Sequence, residues 1–525
     1  MPRSCSRSVL WGGATSRGPR RDRATRLDVL WRVPVVRRDR RRICALDALG
    51  RAPVNPQIWV FVGYFFVVFA IGWYSLRATR NEQDYWIAGG NLGWFTGGAT
   101  MAATHTSAGT FIGTIGVMYT AGWSFAWVLL SIPLSYWFMV AVLAPRFTKQ
   151  KELTLPAFIE TRYYGKGMRG LAGGIILVAT VVYIQAQIVA AGLIAHTVFG
   201  IPTTAGMVGF TLILLVYTVV GGMIAVVYTD AFQLVVMSLG ALFAVPLALR
   251  QVGGFGELLT LVESAHPLVF TWETMPATLL LTMGLSFFLG GIATPEKLIR
   301  LYAMKDMATI RRGILFAIIM ILALNLLVFM LALCAIVLFP ELPTGDLAMP
   351  MVATAVLPVT LGAIMLAAIT AAMMSTVDSL LIVAGSALSV DIYQNLIDPD
   401  VTPERRMWIG RLGILVVGSV PVILLLSGVG EGELVQFIVL LFTALMAAAF
   451  VMPVVGGVVW RRATKQGAAA AMIGGVAATF LWELFGAASV EPVLSGFLVS
   501  AALFVGVSLV TAPPPEHALR PYFDT

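Results

Sequence analysis

Thirteen apolar segments, each long enough to cross a bilayer, follow one another between residues 57 and 511. A helix needs about 20 apolar residues to span roughly 30 Å of hydrocarbon. Only 12% of the chain is charged, against roughly 25% in a soluble domain. We therefore expect an all-α polytopic membrane protein, because helices satisfy their own backbone hydrogen bonds within lipid. The predicted spans are 57–77, 92–119, 123–144, 170–199, 204–227, 229–250, 277–296, 312–339, 359–390, 409–427, 433–460, 467–486 and 492–511.

The positions of the basic residues support this number of spans. Cytoplasmic loops of membrane proteins are enriched in Lys and Arg. With the amino terminus outside and the carboxyl terminus in the cytoplasm, every basic residue after position 51 except Arg250 falls in a cytoplasmic segment. We expect a multi-pass protein of the cell (inner) membrane, with residues 512–525 as a cytoplasmic tail.

Residues 1–55 contradict that pattern. Fourteen arginines and four aspartates before residue 52 carry a charge of +10, more than the +8 of the whole chain. Such an arm binds nucleic acid or acidic lipid, or is a disordered tail, and it lacks the apolar run of a signal peptide. No methionine lies between Met1 and Met101, so no internal methionine could start the chain before the first span. We therefore expect a misassigned start and a natural beginning near Val54. We expect no nucleic-acid partner.

Span nine carries polar side chains at a depth in the bilayer where burying them without a partner raises the free energy. The stretch 361–393 begins as an apolar helix and then places six polar residues within the bilayer: Ser375, Thr376, Asp378, Ser379, Ser386 and Ser389. Hydroxyls and carboxylates in lipid need a partner or an ion, and oxygen-only ligands suit a hard cation such as Na⁺. The sequence therefore predicts a cation site in span nine. Asp391, at the end of the stretch, is expected to meet a basic group.

Spans two and seven are predicted to be discontinuous helices. Residues 103–110 of span two are small and polar, and span seven contains Gly290-Gly291 and Thr294-Pro295. Unwound carbonyls can coordinate a cation, although small residues also allow close helix packing. Because the two spans are five apart, we expect a five-plus-five inverted repeat with the site between the breaks. The predicted transporter domain, 56–511, contains repeats 92–250 and 277–460 and peripheral helices 57–77 and 467–511.

Three ionisable residues within the spans have more than one interpretation. Asp230 either coordinates a cation or caps its helix, whereas the deeper Asp378 favours a functional role. His105 binds substrate, relays a proton or hydrogen-bonds a neighbour. The chain has no phosphate-binding loop, catalytic pair or metal-ligand spacing, which argues against an ATP-driven pump or an enzyme.

Four motifs occur in order along residues 57–511. They are Ser107-Ala108-x-Thr110-Phe111-Ile112-Gly113, Tyr217-x3-Gly221-Gly222-x2-Ala225-Val226-x2-Thr229-Asp230-x2-Gln233, Thr294-Pro295-x4-Arg300 with Lys305-Asp306, and Ala372-x2-Ser375-Thr376-x-Asp378-Ser379 ending in Asp391-Ile392-Tyr393. In these motifs the chain resembles the sodium:solute symporter family. The resemblance implies a leucine-transporter-like fold and Na⁺-coupled secondary active transport by alternating access, with no cofactor other than the coupling ion.

The resemblance also implies which residues bind the ions and the solute. The main sodium site would use carbonyls of Ala103, Thr106 and Ala372 with hydroxyls of Ser375 and Thr376. A candidate second sodium site would use Asp230, Asp378 and Ser379 together with Ser375, and Asp378 replaces a hydroxyl found in the sugar and sialate members. The solute pocket is expected to include His105, Ser107, Thr110, Phe287, Phe288 and Gln436.

The expected solute is a small organic carboxylate, because half-helix amino termini and a positively charged His105 suit an anion. Three segments resemble the pantothenate and monocarboxylate branch: Ile201-Pro202, Phe339-Pro340-Glu341-Leu342 and Trp460-Arg461-Arg462-Ala463. The alternatives are a proton-coupled symporter, a Na⁺ symporter for proline or another amino acid, and a transporter-like sensor. We expect a monomer in membrane lipid that binds Na⁺ and a small solute.

Overall fold

Eleven helices are long and apolar enough to cross a membrane in the computed structural model, which describes residues 57–79, 82–150, 154–429 and 433–523. These residues are helical apart from their connections, as the apolar composition requires. Predicted spans two and five are not among the eleven. Span two is broken near its middle, and span five is shortened to Thr203–Val219. The Arg-rich extension, 1–55, lies outside the described residues.

The α-helices are numbered in chain order. The first ten are α1 Gln57–Ala78, α2 Glu82–Ile87, α3 Trp94–His105, α4 Ile115–Ala121, α5 Val128–Phe138, α6 Ala144–Gln150, α7 Leu155–Tyr163, α8 Lys166–Phe199, α9 Thr203–Gln251 and α10 Phe255–Ala265. The others are α11 Ala277–Ile292, α12 Pro295–Ala303, α13 Met307–Leu338, α14 Ala348–Met351, α15 Val359–Ser386, α16 Pro403–Leu426, α17 Val435–Met446, α18 Gly457–Val459, α19 Lys465–Phe485, α20 Val493–Val510 and α21 Glu516–Phe523. Wider π-helical turns join several of them: Gly109–Thr114, Met139–Leu143, Val352–Val356, Ala387–Ile397 and Ala447–Gly456.

Side-chain caps define where several helices begin. Thr154, Asp306, Thr402 and Thr464 each accept a hydrogen bond from a backbone N–H in the first turn of the helix that follows. Such caps satisfy amide groups that have no partner within the helix. The bond from the Thr309 N–H to Asp306 is 2.7 Å long and holds the pKa of the Asp306 carboxyl below its usual range.

Helix α15 lies at the centre of the protein. Every residue of its most apolar 18-residue stretch is buried, and it packs against α1, α3, α8, α9 and α16. Its polar side chains must therefore find partners on neighbouring helices. Asp391, in the π-helical turn that follows, accepts hydrogen bonds from Arg169 Nε at 2.7 Å and from Thr154 Oγ1 at 2.8 Å. The expected basic partner of Asp391 is thus confirmed.

Both predicted helix breaks are confirmed, and each lies within the residues expected for it. Ala103 and Thr104 are still helical, and the chain first becomes extended at Thr106 (φ −76°, ψ 92°). The second break lies at Thr294 (φ −73°, ψ 129°), because Pro295 disfavours helical geometry in the residue before it.

Gly290 and Gly291, which were expected at the second break, are instead packing positions within α11. A Cβ on Gly290 would come within 2.4 Å of the Thr443 carbonyl oxygen, and one on Gly291 within 2.5 Å of Ser135 Oγ. These two glycines allow α11 to approach α17 and α5 closely, which brings the second break next to both helices.

A kink at Gly222 separates predicted spans five and six, six residues before the expected boundary at Tyr228. Gly222 has φ +63°, a conformation that a side chain strains. The Tyr85 ring also occupies the space that a Cβ would need, at 2.7 Å, and the Tyr85 hydroxyl donates to the Val219 carbonyl at 3.1 Å. Asp230 therefore lies within the helix and is fully buried, so its interpretation as a helix cap is wrong.

At the carboxyl-terminal end of the described residues, α19 and α20 pack against each other and against the turn 447–456. Residues 516–523 of the predicted tail form α21, whose Tyr522 ring lies edge-on to Phe158 of α7 with centroids 5.4 Å apart. All the described residues belong to one structural unit.

Gly222→Ala is expected to lower the free energy of unfolding by roughly 1 to 3 kcal/mol, because it combines a strained φ with a steric clash. Gly209→Ala, on the same helix, has open space around the new Cβ and is expected to be neutral or slightly stabilising. Thermal unfolding of the two variants in detergent measures the difference. Equal melting temperatures would contradict the assignment of the kink to Gly222.

Candidate cation and solute sites

Two hydroxyls of α15 contact the last turn of α3. Ser375 Oγ donates to the Ala103 carbonyl at 2.9 Å, and Thr376 Oγ1 donates to the Thr104 carbonyl at 3.0 Å. Each hydroxyl also lies 3.1 Å from the Ala372 carbonyl of its own helix. All five residues are buried, so these contacts join α3 to α15 just before the break in span two.

Four of the five residues predicted for the main sodium site thus lie together. The fifth, Thr106, is buried at the break, but the α3 carbonyl that meets Thr376 is that of Thr104. Sequence reasoning missed Thr104, because a backbone oxygen leaves no trace in residue type. The cluster contains only hydroxyl and carbonyl oxygens, which is the donor set that Na⁺ prefers.

Two residues of the candidate second sodium site contact an arginine instead. Arg300 Nη2 lies 3.1 Å from Asp230 Oδ2 and 2.6 Å from Ser379 Oγ. Thr100 Oγ1 accepts from Arg300 Nε at 2.9 Å and donates to Asp230 at 2.5 Å. All four side chains are buried. A guanidinium therefore holds the position between Asp230 and Ser379, and the sequence had shown Arg300 only as part of a motif.

Asp378, the third predicted residue of that site, is separate from Arg300. Its Oδ1 accepts from Thr218 Oγ1 at 2.6 Å, and its neighbour in the chain, Ser379, contacts the same Arg300 Nη2 as Asp230. Among the described residues, Asp378 Oδ2, Asp230 Oδ1 and Gln233 Oε1 are buried acceptors with no protein donor. Arg300 is thus paired with Asp230, and the buried carboxylate of Asp378 has no counter-charge of its own among the described residues if both carboxylates are ionised.

Four of the six predicted solute residues lie around the break in span two. Ser107 Oγ accepts from the Tyr183 hydroxyl at 3.2 Å, and the Tyr183 ring stacks on Phe442 of α17. Thr110 and Gln436 are buried, and Gln436 packs against Gly113, where a Cβ would lie 2.8 Å from its Oε1. The His105 ring lies edge-on to Tyr136, with centroids 5.9 Å apart.

The other two candidates lie on α11. Phe288 packs edge-on to Phe138 at the end of α5, with ring centroids 6.2 Å apart, and Phe287 is half-buried. Neither has a described ring contact with the residues around the break, so their assignment to the pocket stays a prediction.

Several residues around the break were not identified from the sequence. Gln187 Oε1 accepts from the Ala108 N–H at 2.9 Å, Lys297 lies over the Tyr136 ring, and Glu296 precedes it in the first turn of α12. Gln187 and Tyr136 gave no signal, because single polar residues in apolar helices are common. The adjacent charges of Glu296 and Lys297, directly after Pro295, could have indicated a functional site, since charged residues are rare in membrane spans.

Asp230→Asn is expected to lower the free energy of unfolding by about 3 to 5 kcal/mol, because it leaves the Arg300 charge buried without a counter-charge. Asp398→Asn is the control: it removes the partner of Arg405 at 3.9 Å, an exposed pair of the type that contributes less than about 1 kcal/mol. Thermal unfolding in detergent compares them. Similar losses would show that the buried pair has no special structural role.

The profile of the sodium:solute symporter family matches residues 85–475. The osmoregulated proline transporter OpuE of Bacillus subtilis is 27% identical over 87% of this chain and 95% of its own length. The sodium/pantothenate symporter of Escherichia coli is 28% identical over 87% and 97%.

A solved structure shares the fold. A Na⁺-coupled sialic acid symporter in a substrate-bound, outward-open state superposes with a TM-score of 0.77 at 20% identity, over 87% of this chain and 98% of that one. This similarity agrees with the predicted all-α architecture and its discontinuous helices. Together with the family match over most of the chain, it leads to one conclusion: the chain is a polytopic membrane protein that belongs to the sodium:solute symporter family, whose coupling ion is Na⁺.

Proposed function

We propose that this protein imports a small organic carboxylate together with Na⁺ by alternating access. The observation that carries the proposal is the contact between Ser375 and Thr376 of α15 and the carbonyls at the end of α3. These oxygens are buried, carry no net charge and lie beside the break in span two. A monovalent cation bound there would contact two helices at once.

In this mechanism Na⁺ acts by differential affinity for two conformations. Bound between Ser375, Thr376 and the carbonyls of Ala103, Thr104 and Ala372, it strengthens the junction of α3 and α15 and favours the outward-open, solute-binding form. Its release to the cytoplasm weakens that junction and favours solute release. A ligand shifts such an equilibrium only by the difference in its affinity for the two states.

The carboxylate class is supported by the solutes that are named for the relatives. Proline and pantothenate, named for two of the curated relatives, each carry a carboxylate, whereas glucose, named for another relative of similar identity, does not. Among these, we favour pantothenate-type or monocarboxylate solutes over proline, on the segments quoted above. Uptake into proteoliposomes with a Na⁺ gradient, in parallel for pantothenate, lactate and proline, identifies the solute.

Ser375→Ala combined with Thr376→Ala is expected to abolish Na⁺-dependent uptake while the protein still inserts in the membrane. The control is Thr370→Ala combined with Ser386→Ala, also on α15, whose buried hydroxyls bond only to carbonyls of their own helix. Uptake with Na⁺ or choline at fixed pH is the measurement. Normal Na⁺ activation in the Ser375/Thr376 variant would refute the site.

We also propose a second monovalent cation beside Asp378. With Arg300 paired to Asp230, the cation would be held by the two carboxylate oxygens that have no donor among the described residues, Asp230 Oδ1 and Asp378 Oδ2, and would balance the remaining negative charge. Of the residues first expected at this site, Ser379 is replaced as a ligand, because the guanidinium already contacts it.

Asp378→Asn is expected to reduce the charge transported per solute by one elementary charge, because the buried cluster then needs no second cation. Reversal potentials of solute-driven flux in proteoliposomes measure this ratio. An unchanged ratio would contradict the second site. If the charge-to-solute ratio falls, the pH dependence of uptake is lost and the Na⁺ dependence is unchanged, the second cation is a proton.

A further inference from the structure

Lys297 is a buried ammonium group without an ion pair. It lies in the first turn of α12, directly after the break in span seven, and is only 7% exposed. Within the described ranges, no carboxylate oxygen lies within 4 Å of Lys297 Nζ. The ammonium instead lies 5.2 Å from the centroid of the Tyr136 ring. A charge buried in this way is costly unless a counter-charge is supplied.

The surroundings of Lys297 connect it to the break in span two. The Tyr136 ring is also in edge contact with His105, and the Tyr136 hydroxyl donates to the Met101 carbonyl of α3 at 3.3 Å. At the break itself, the Tyr183 hydroxyl donates to Ser107 Oγ at 3.2 Å. The two helix breaks therefore share one cluster of side chains.

Gln187 adds a second donor to the cluster. Its Oε1 accepts from the Ala108 N–H at 2.9 Å, which fixes the orientation of the amide and leaves Nε2 as a donor. Among the described residues Nε2 is buried and has no acceptor. Gln187 lies one helical turn from Tyr183 on α8. The cluster thus presents buried donors, and a ligand that satisfies them must bring acceptor oxygens.

Glu296 accounts for the charge of the cluster before a ligand binds. It is buried and directly precedes Lys297 in the chain, and its Oε2 has no hydrogen-bond partner among the described residues. The two residues together are neutral, which lowers the cost of the empty site. A carboxylate ligand that binds together with one Na⁺ keeps the net charge of the region at zero. A ligand that placed an ammonium group near Lys297 would add a positive charge.

We propose that Lys297 binds the carboxylate of the transported solute, with the Gln187 amide as a second donor to it. This assignment rests on the proposed function and makes it specific, because it names the residue that selects acids over their neutral counterparts. His105 packs beside Tyr136 in the same cluster and orients the ring over which the ammonium lies.

The first test needs no variant. In proteoliposomes with an imposed Na⁺ gradient, uptake of the best-transported acid among pantothenate, lactate and proline is challenged with its carboxylate-free counterpart, respectively pantothenol, lactamide and prolinamide. The acid is expected to compete at least tenfold better than its counterpart, the range that a charged hydrogen bond contributes. Equal competition by acid and counterpart overturns the proposal.

The second test uses variants of the lysine. Lys297→Met is expected to raise KM for the acid by roughly 10- to 100-fold and to leave half-activation by Na⁺ unchanged, and Lys297→Arg is expected to recover part of the loss. Lys305→Met, the same change at an exposed lysine beyond α12, is the control. If Lys297→Met keeps the wild-type KM, the proposal is wrong.

These outcomes are distinguishable from failure of the proposed function. If wild-type protein takes up none of the three acids in a Na⁺-dependent way, the proposed function itself fails. If uptake is Na⁺-dependent but acid and counterpart compete equally, only the assignment of Lys297 fails.

Discussion

A fully buried ion pair holds the broken part of this transporter together. Arg300 and Asp230 come from α12 and α9, and their remaining hydrogen bonds reach Thr100 on α3 and Ser379 on α15. Removing two charges from water is expensive, and the cost is recovered only where further hydrogen bonds satisfy both groups. Here all three nitrogens of Arg300 and Oδ2 of Asp230 are hydrogen-bonded, while Asp230 Oδ1 has no donor among the described residues, and four helices meet at one point. Because α12 is separated from α11 by the break at Thr294, this junction determines where α12 and its Lys297 lie.

The α3 terminus has different surroundings towards its different neighbours. Towards α15 lie hydroxyls, carbonyls and the carboxylates of Asp230 and Asp378, a surrounding that suits cations. Towards α8 and α12 lie the amide of Gln187 and the ammonium of Lys297, which are donors for an anion, together with the carboxylate of Glu296. One helix end thus adjoins both environments, so a cation and an anion bound there would stabilise the same conformation of α3. In that case the last turn of α3 alone would couple ion binding to solute binding.

Much of this arrangement follows from the sequence, because lipid makes each polar residue conspicuous. The apolar spans, both helix breaks, the hydroxyls of α15 and the basic partner of Asp391 were predicted from residue types and spacing. The exact points were predicted only in part: of the two points expected in span seven only Thr294-Pro295 is a break, and the kink between spans five and six lies at Gly222 rather than Tyr228. The partner of Asp230 was also missed, because a pair separated by 70 residues depends on tertiary packing that local pattern does not encode. Which α3 carbonyls contact Ser375 and Thr376 depends on the position of the backbone, and residue types do not reveal it.

The hydrogen bonds of Ser375 and Thr376 have a consequence for ion binding. Both hydroxyls use α3 carbonyls as acceptors. A cation bound by these oxygens must turn both hydroxyl hydrogens away, and its net binding free energy is reduced by the bonds it replaces. The same two hydrogen bonds that join α3 to α15 therefore set a cost that any ion at this position has to exceed.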